Sequence, residues 1–150
     1  MAMAIQKNCA LRIIGAVEAG LVPWEKMLLV GQSAGNDDVW EKIVEKIDWE
    51  KLSLGDILLL GQRAGNRVVW IAVGERIVRR FNDSKMTEGE LTDFVGGAVS
   101  IEVFQEIFES IDSKKLSTGG MIILGALAND SSLWEVVAEW IEGRKEKRQQ

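Results

Sequence analysis

Any chemistry in this chain must be done without histidine and with a single cysteine, Cys9. That removes the commonest metal ligand, the usual general base near neutral pH, every Ser-His-Asp or Cys-His arrangement, and any zinc site built from Cys and His. Carboxylates, lysines and hydroxyls remain. Glu41 and Glu45 stand at i, i+4 on a polar helix face, where with no pocket to raise a pKa they are solvated charges rather than an acid and a base. Gly31-Gln32-Ser33-Ala34-Gly35-Asn36 has the glycines of a phosphate loop but lacks its lysine and the strand-loop-helix setting of a dinucleotide fingerprint. Cys9 lies in an apolar stretch and is expected to be a small buried residue rather than a nucleophile. No residues read as catalytic, cofactor-binding or metal-binding, so the expectation is a protein that is not an enzyme.

Charge and tryptophan carry the remaining functional signal. From Arg63 to Lys85 six cations (Arg63, Arg67, Arg76, Arg79, Arg80, Lys85) face two acids, Glu75 and Asp83, in a chain whose net charge is -5. Acidic segments flank this zone, with Asp37, Asp38, Glu41 and Glu45 before it and Glu88, Glu90, Asp93, Glu102, Glu106 and Glu109 after it. A basic zone of this kind suits an acidic partner surface, or self-association in which it meets the acidic zone of a second copy. It also suits a solvated face that complements its neighbours, and cations near a helix C-terminus are favoured in any case. Trp24 and Trp49 fall outside the regular aromatic column described below. They are candidate interface anchors, or else staples at helix ends. The candidate interaction surface is therefore Arg63, Arg67, Arg76, Arg79, Arg80, Trp24 and Trp49.

The elements that position these residues come from an internal repeat. A shift of 30 lays Leu28-Leu29-Val30-Gly31-Gln32-Ser33-Ala34-Gly35-Asn36 over Leu58-Leu59-Leu60-Gly61-Gln62-Arg63-Ala64-Gly65-Asn66, and Val39-Trp40 over Val69-Trp70. A shift of 64 lays the stretch from Ile47 to Trp70 over that from Ile111 to Trp134. Three columns run through four copies: Trp40, Trp70, Phe104 and Trp134; Ile43, Val73, Ile107 and Val137; Ile47, Ile77, Ile111 and Ile141. The expected fold is all-α, with four tandem helical hairpins over residues 22–49, 52–81, 86–113 and 116–142. An N-terminal capping helix precedes them at 4–18 and a basic polar tail follows at 143–150. These form one domain, stacked as a short solenoid or curled into a compact globule, with nine helices in all.

Within each hairpin the first helix opens on a cap, Ser53 with Asp56 or Thr87 with Glu90, or on Pro23, whose fixed φ suits a helix start. It closes on Gly35, Gly65 or Asn129, residues that tolerate the left-handed conformation of a C-cap; Val99 suits that place poorly, so the third turn is expected to be distorted. The second helix opens on Asn36 or Asp37, Asn66, Ser100 or Asp130. Its apolar positions keep the helical period, whereas the first helices carry four-residue apolar blocks that predict burial on more than one side. A tryptophan over glycine, as in the pairs Gly31 with Trp40, Gly61 with Trp70 and Gly125 with Trp134, is ordinary hairpin packing.

Leu52 to Val69, a hairpin with glycine at its turn, resembles in hairpin geometry the repeats of transcription-activator-like effectors. Those bind DNA through a variable residue pair and a basic stripe, and this sequence has neither in its four divergent copies. The resemblance stops at the hairpin and assigns no family.

Composition sets the outer bounds. At 150 residues, 47% apolar and 27% charged, the chain suits one folded core and is neither disordered nor fibrous. No apolar run reaches the roughly 18 residues that span a bilayer, and the start lacks the basic and long apolar regions of a secretory signal. With a lone Cys, this predicts a soluble cytoplasmic protein. Negative net charge weighs against nucleic acid and anionic membranes as partners. The function expected is a noncatalytic module for protein–protein interaction or self-assembly. Two alternatives are a carrier of a lipid or pigment in the helical core, and a small inhibitor or adaptor from a virus or mobile element that binds a host protein.

Overall fold

The structure, a computed structural model, describes the backbone of residues 5–149 and side chains through Arg144. The first residue assigned to the capping helix, Ala4, and the basic side chains of the tail beyond Arg144 lie outside the described residues. Nine α-helices are present among the described residues: α1 (Lys7–Ala16), α2 (Trp24–Ala34), α3 (Asp37–Lys46), α4 (Leu54–Ala64), α5 (Arg67–Asn82), α6 (Glu88–Val95), α7 (Ile101–Ser110), α8 (Thr118–Ala128) and α9 (Ser131–Gln149). Single 3-10 turns occupy Trp49–Lys51 and Ser113–Lys115, within the two linkers that match each other in sequence. No described helix is long and apolar enough to cross a membrane.

The helix ends follow from local chemistry. Ser53, Ser117 and Thr87 accept the backbone N–H three residues on, and Thr87 with Glu90 closes a complete capping box. Asn36, Asn66, Ser100 and Asp130 accept the N–H two residues on. Pro23 sits just outside α2 as its N-cap, and its carbonyl accepts from Lys26. Gly35, Gly65 and Asn129 are left-handed, with φ of 58°, 55° and 49°. The third turn is distorted, as expected. α6 stops at Val95, Gly96 is right-handed with φ -71°, and residues 96–99 pass irregularly to the Ser100 cap.

By its internal packing the chain divides into two compact units, which meet in sequence between Val73 and Gly74. In the first, α1 packs on α2 and α3, and α2 also packs on α4. Ala10 and Ile14, one helical turn apart, are the buried line of α1. Lys46 of α3 holds the end of α1 by donating to Val17 O at 2.7 Å, and Lys7 pairs with Asp38 at 2.5 Å. Gln32 donates to Arg63 O at 3.0 Å and Asn66 to Asp37 Oδ1 at 3.2 Å, so the two Gly-Gln-x-Ala-Gly-Asn turns lie side by side.

In the second unit α8 packs on α6 and α9, and α7 meets α9. Phe108 stacks on Trp140 with ring centroids 5.1 Å apart. Asn82 clamps the end of α7, donating to Ser110 O at 3.0 Å and accepting from Asp112 N at 2.7 Å. Glu88 accepts from Ser117 N at 2.7 Å, and Arg144 donates to Ser113 O at 2.7 Å, which ties α6 and α9 to the same linker.

Two burial expectations need correction. Cys9 is exposed rather than buried, because the 100° step per residue carries it off the Ala10–Ile14 line. The apolar blocks of the first helices are not buried all round. Met121 and Leu124 are in the core, but Ile122 and Ile123 between them face solvent, and Leu29 of α2 does the same.

Candidate interaction surface

The residues singled out from sequence fall in both units. Arg63 and Arg67 belong to the first unit. Arg63, in the last turn of α4, lies over the Trp24 ring at 5.6 Å, a cation–π contact within that unit. Arg67 is exposed in the first turn of α5. Arg76, Arg79 and Arg80 belong to the second unit, with Arg79 and Arg80 in the last turn of α5, where the helix dipole favours cations. Arg79 lines an open groove together with Glu75, Asp83, Glu106 and Ser110. Lys85 lies at a second depression, with Lys115, Glu88 and Glu90.

Trp24 and Trp49 are both buried, so neither is offered to a partner. Trp49 sits in the 3-10 turn and donates Nε1–H to Val44 O at 3.1 Å, fastening the linker to the end of α3. Trp24 opens α2 beneath Arg63. Burial fits the second of the two sequence readings, staples at helix ends, and not the interface anchors, because burying an aromatic ring is the larger gain.

The tryptophan column splits where the sequence implied uniform burial. Trp40 and Trp70 are 3% and 8% exposed, whereas Trp134 is 39% exposed. All three rings lie against a glycine: a Cβ on Gly31, Gly61 or Gly125 would come within 2.6, 2.5 and 2.7 Å of the ring facing it. The pairing is the same, but the outer side of the α8–α9 hairpin is uncovered in the second unit.

That side is a surface the sequence reading missed. Gly119, Ile122, Ile123, Ala126 and Leu127 are exposed along α8 at spacings of three and four, which makes one helical stripe. Gly120, Met121, Leu124 and Gly125 form the opposite, buried face. The signal was present in the 64-residue alignment. Gln62 and Arg63 of α4 become Ala126 and Leu127 in α8, so polar positions turn apolar at the last copy.

The electrostatics at this end are mild. Asp130, which caps α9, is held below the usual carboxylate value because the Ser132 hydroxyl and the Leu133 N–H donate to it. Among the described residues no group of three or more Cys, Asp or Glu is placed to hold a metal ion. Buried positions carry apolar side chains, so the described core offers no desolvated carboxylate or lysine for catalysis. Comparison with protein-family models, with curated proteins and with solved structures finds no match to this chain.

Proposed function

We propose that this chain is a noncatalytic helical-repeat protein, four hairpins behind an N-terminal capping helix, that works as a protein-interaction or self-assembly module in a reducing, cytoplasmic setting. The observation that carries this is the apolar stripe on α8. Contiguous exposed Ile, Ile and Leu side chains on one helix face mark an interaction site rather than ordinary surface scatter. Support for the repeat arrangement comes from the recurring Gly–Trp contacts and from the side-by-side turns at Gln32–Arg63 and Asp37–Asn66. A protein partner is favoured over nucleic acid, because the net charge is -5 and Arg79 shares its groove with Glu75, Asp83 and Glu106.

The test is native mass spectrometry of protein purified without denaturants. The expected spectrum contains the bare polypeptide mass, multiples of it, or its sum with another polypeptide. A retained small-molecule mass that organic solvent strips away would overturn this function and make the protein a carrier.

A further inference from the structure

We infer that Glu88 of α6 is a latch that couples the opening turn of α8 to the seating of α6, so that the two form and open together. Glu88 Oε1 accepts from Ser117 N at 2.7 Å, and the Ser117 hydroxyl, 2.9 and 3.0 Å from the two carboxylate oxygens, donates to them. The hydroxyl oxygen in turn accepts from Gly120 N at 2.9 Å. One relay therefore runs from the first turn of α8, through its cap, to a side chain 29 residues away from that cap.

Comparison with the first unit shows a carboxylate that has changed place. A shift of 64 lays Ser53 over Ser117, Asp56 over Gly120 and Trp24 over Glu88. α4 thus carries an acid three residues after its cap, where a capping box has one, and α6 does the same with Glu90 after Thr87. In α8 that place is glycine, and the carboxylate arrives from another helix. The two changes need each other. A Cβ on Gly120 would overlap the Glu88 carboxylate, so any other residue there expels it, and without Glu88 the Ser117 N–H has no carboxylate to meet.

The opening turn of α8 is weak on its own. Thr118, Gly119 and Gly120 are poor helix formers, and the turn holds no acid of its own to meet the helix dipole. Glu88 supplies that charge while Leu91, Phe94 and Val95 keep α6 packed. By linkage the dependence is mutual: whatever lifts the start of α6 uncaps α8, and a firmly wound α8 holds α6 in place. The carboxylate is not sealed in. Glu88 is half-buried and lines the open groove with Lys85, Lys115 and Glu90, so the latch can open without unpacking the core. Because α8 carries the apolar stripe, the latch ties that surface to α6, and it stands whether or not the stripe binds a partner.

Amide exchange of the full chain, followed by NMR at Ser117, Gly120 and Met121, tests this. Glu88→Ala should quicken exchange there at least about tenfold and leave Ile57, which bonds to Ser53 O as Met121 does to Ser117 O, unchanged. Gly120→Ala should also quicken Ser117, although alanine is the better helix former, because its methyl group expels Glu88. Adding Gly120→Glu to Glu88→Ala returns the carboxylate to the first turn of α8 itself and should restore slow exchange, which a damaged fold would not do. Thr87→Ala, which removes the cap of α6, reads the coupling. It should quicken Ser117 and Met121 about threefold or more in the unaltered chain and leave them unchanged in the Glu88→Ala, Gly120→Glu chain. Unchanged exchange in Glu88→Ala, slower Ser117 exchange in Gly120→Ala, failure of Gly120→Glu to rescue, or a Thr87→Ala effect of equal size in both chains overturns the latch.

Discussion

Gly61 and Trp70 face each other across the turn between α4 and α5 so closely that a Cβ on Gly61 would sit 2.5 Å from the ring. The nine-residue separation lets a two-residue turn fold the second helix back, and glycine admits the indole at a distance no other residue allows. Gly31 with Trp40 and Gly125 with Trp134 repeat the relationship. The three pairs differ in what lies beyond the ring.

That difference predicts opposite outcomes for one substitution. Gly61→Ala should destabilise by about 1–3 kcal/mol, because Trp70 is buried and its ring has nowhere to move. Gly125→Ala should be near neutral, since the partly exposed Trp134 can swing outward and alanine gains about 1 kcal/mol of helix propensity over glycine. Urea unfolding of the two variants checks the contrast, and equal losses would contradict it.

Trp49 is expected to matter for stability despite its place in a linker. Trp49→Ala should cost about 3–5 kcal/mol through the cavity it leaves. Trp49→Phe keeps most of the bulk but leaves the Val44 carbonyl without the indole donor, and should cost about 1 kcal/mol from that bond. Denaturant midpoints at unchanged slope would show both effects.

Lys46 joins α1 to the rest of the first unit through the Val17 carbonyl. Lys46→Met preserves the side-chain stem and removes the donor. Amide exchange in α1 should quicken by about tenfold, corresponding to roughly 1.4 kcal/mol for a charge-assisted bond. Exchange in α4 should stay as it was, and a uniform acceleration through the unit would mean that Lys46 acts on global stability instead.

The Asp130 cap gives a signed pH dependence. Its carboxyl titrates below the usual carboxylate value in the folded chain, so its contribution to the start of α9 is fully present above the unfolded value. That contribution is lost as pH falls through the lowered folded value. A carbon-detected NMR titration should place Asp130 below ordinary aspartates, and Ser132→Ala should move it upward by removing the first of its donors.

The sequence by itself determined what is local. Caps at Asn36, Ser53, Thr87 and Asp130 bond to N–H groups two or three residues away, and the left-handed C-caps at Gly35, Gly65 and Asn129 depend on the residue in place. Nine helices and the Gly–Trp contacts were therefore legible from residue type and spacing, and the distorted third turn followed from the lack of a glycine at Val99. Burial was not legible in the same way. Cys9 lies in an apolar stretch yet is exposed, Trp24 and Trp49 look peripheral yet are buried, and Trp134 shares a column with Trp40 but not its cover. The basic zone reads as one segment, yet its cations fall in two units, with Arg63 on Trp24 and Arg79 in a groove it shares with Glu75, Asp83 and Glu106. A cap is satisfied by its own neighbours along the chain, whereas a side chain is covered by whichever helix arrives from some thirty residues away. Only the tertiary structure decided which faces received that cover, and α8 is where the cover is missing.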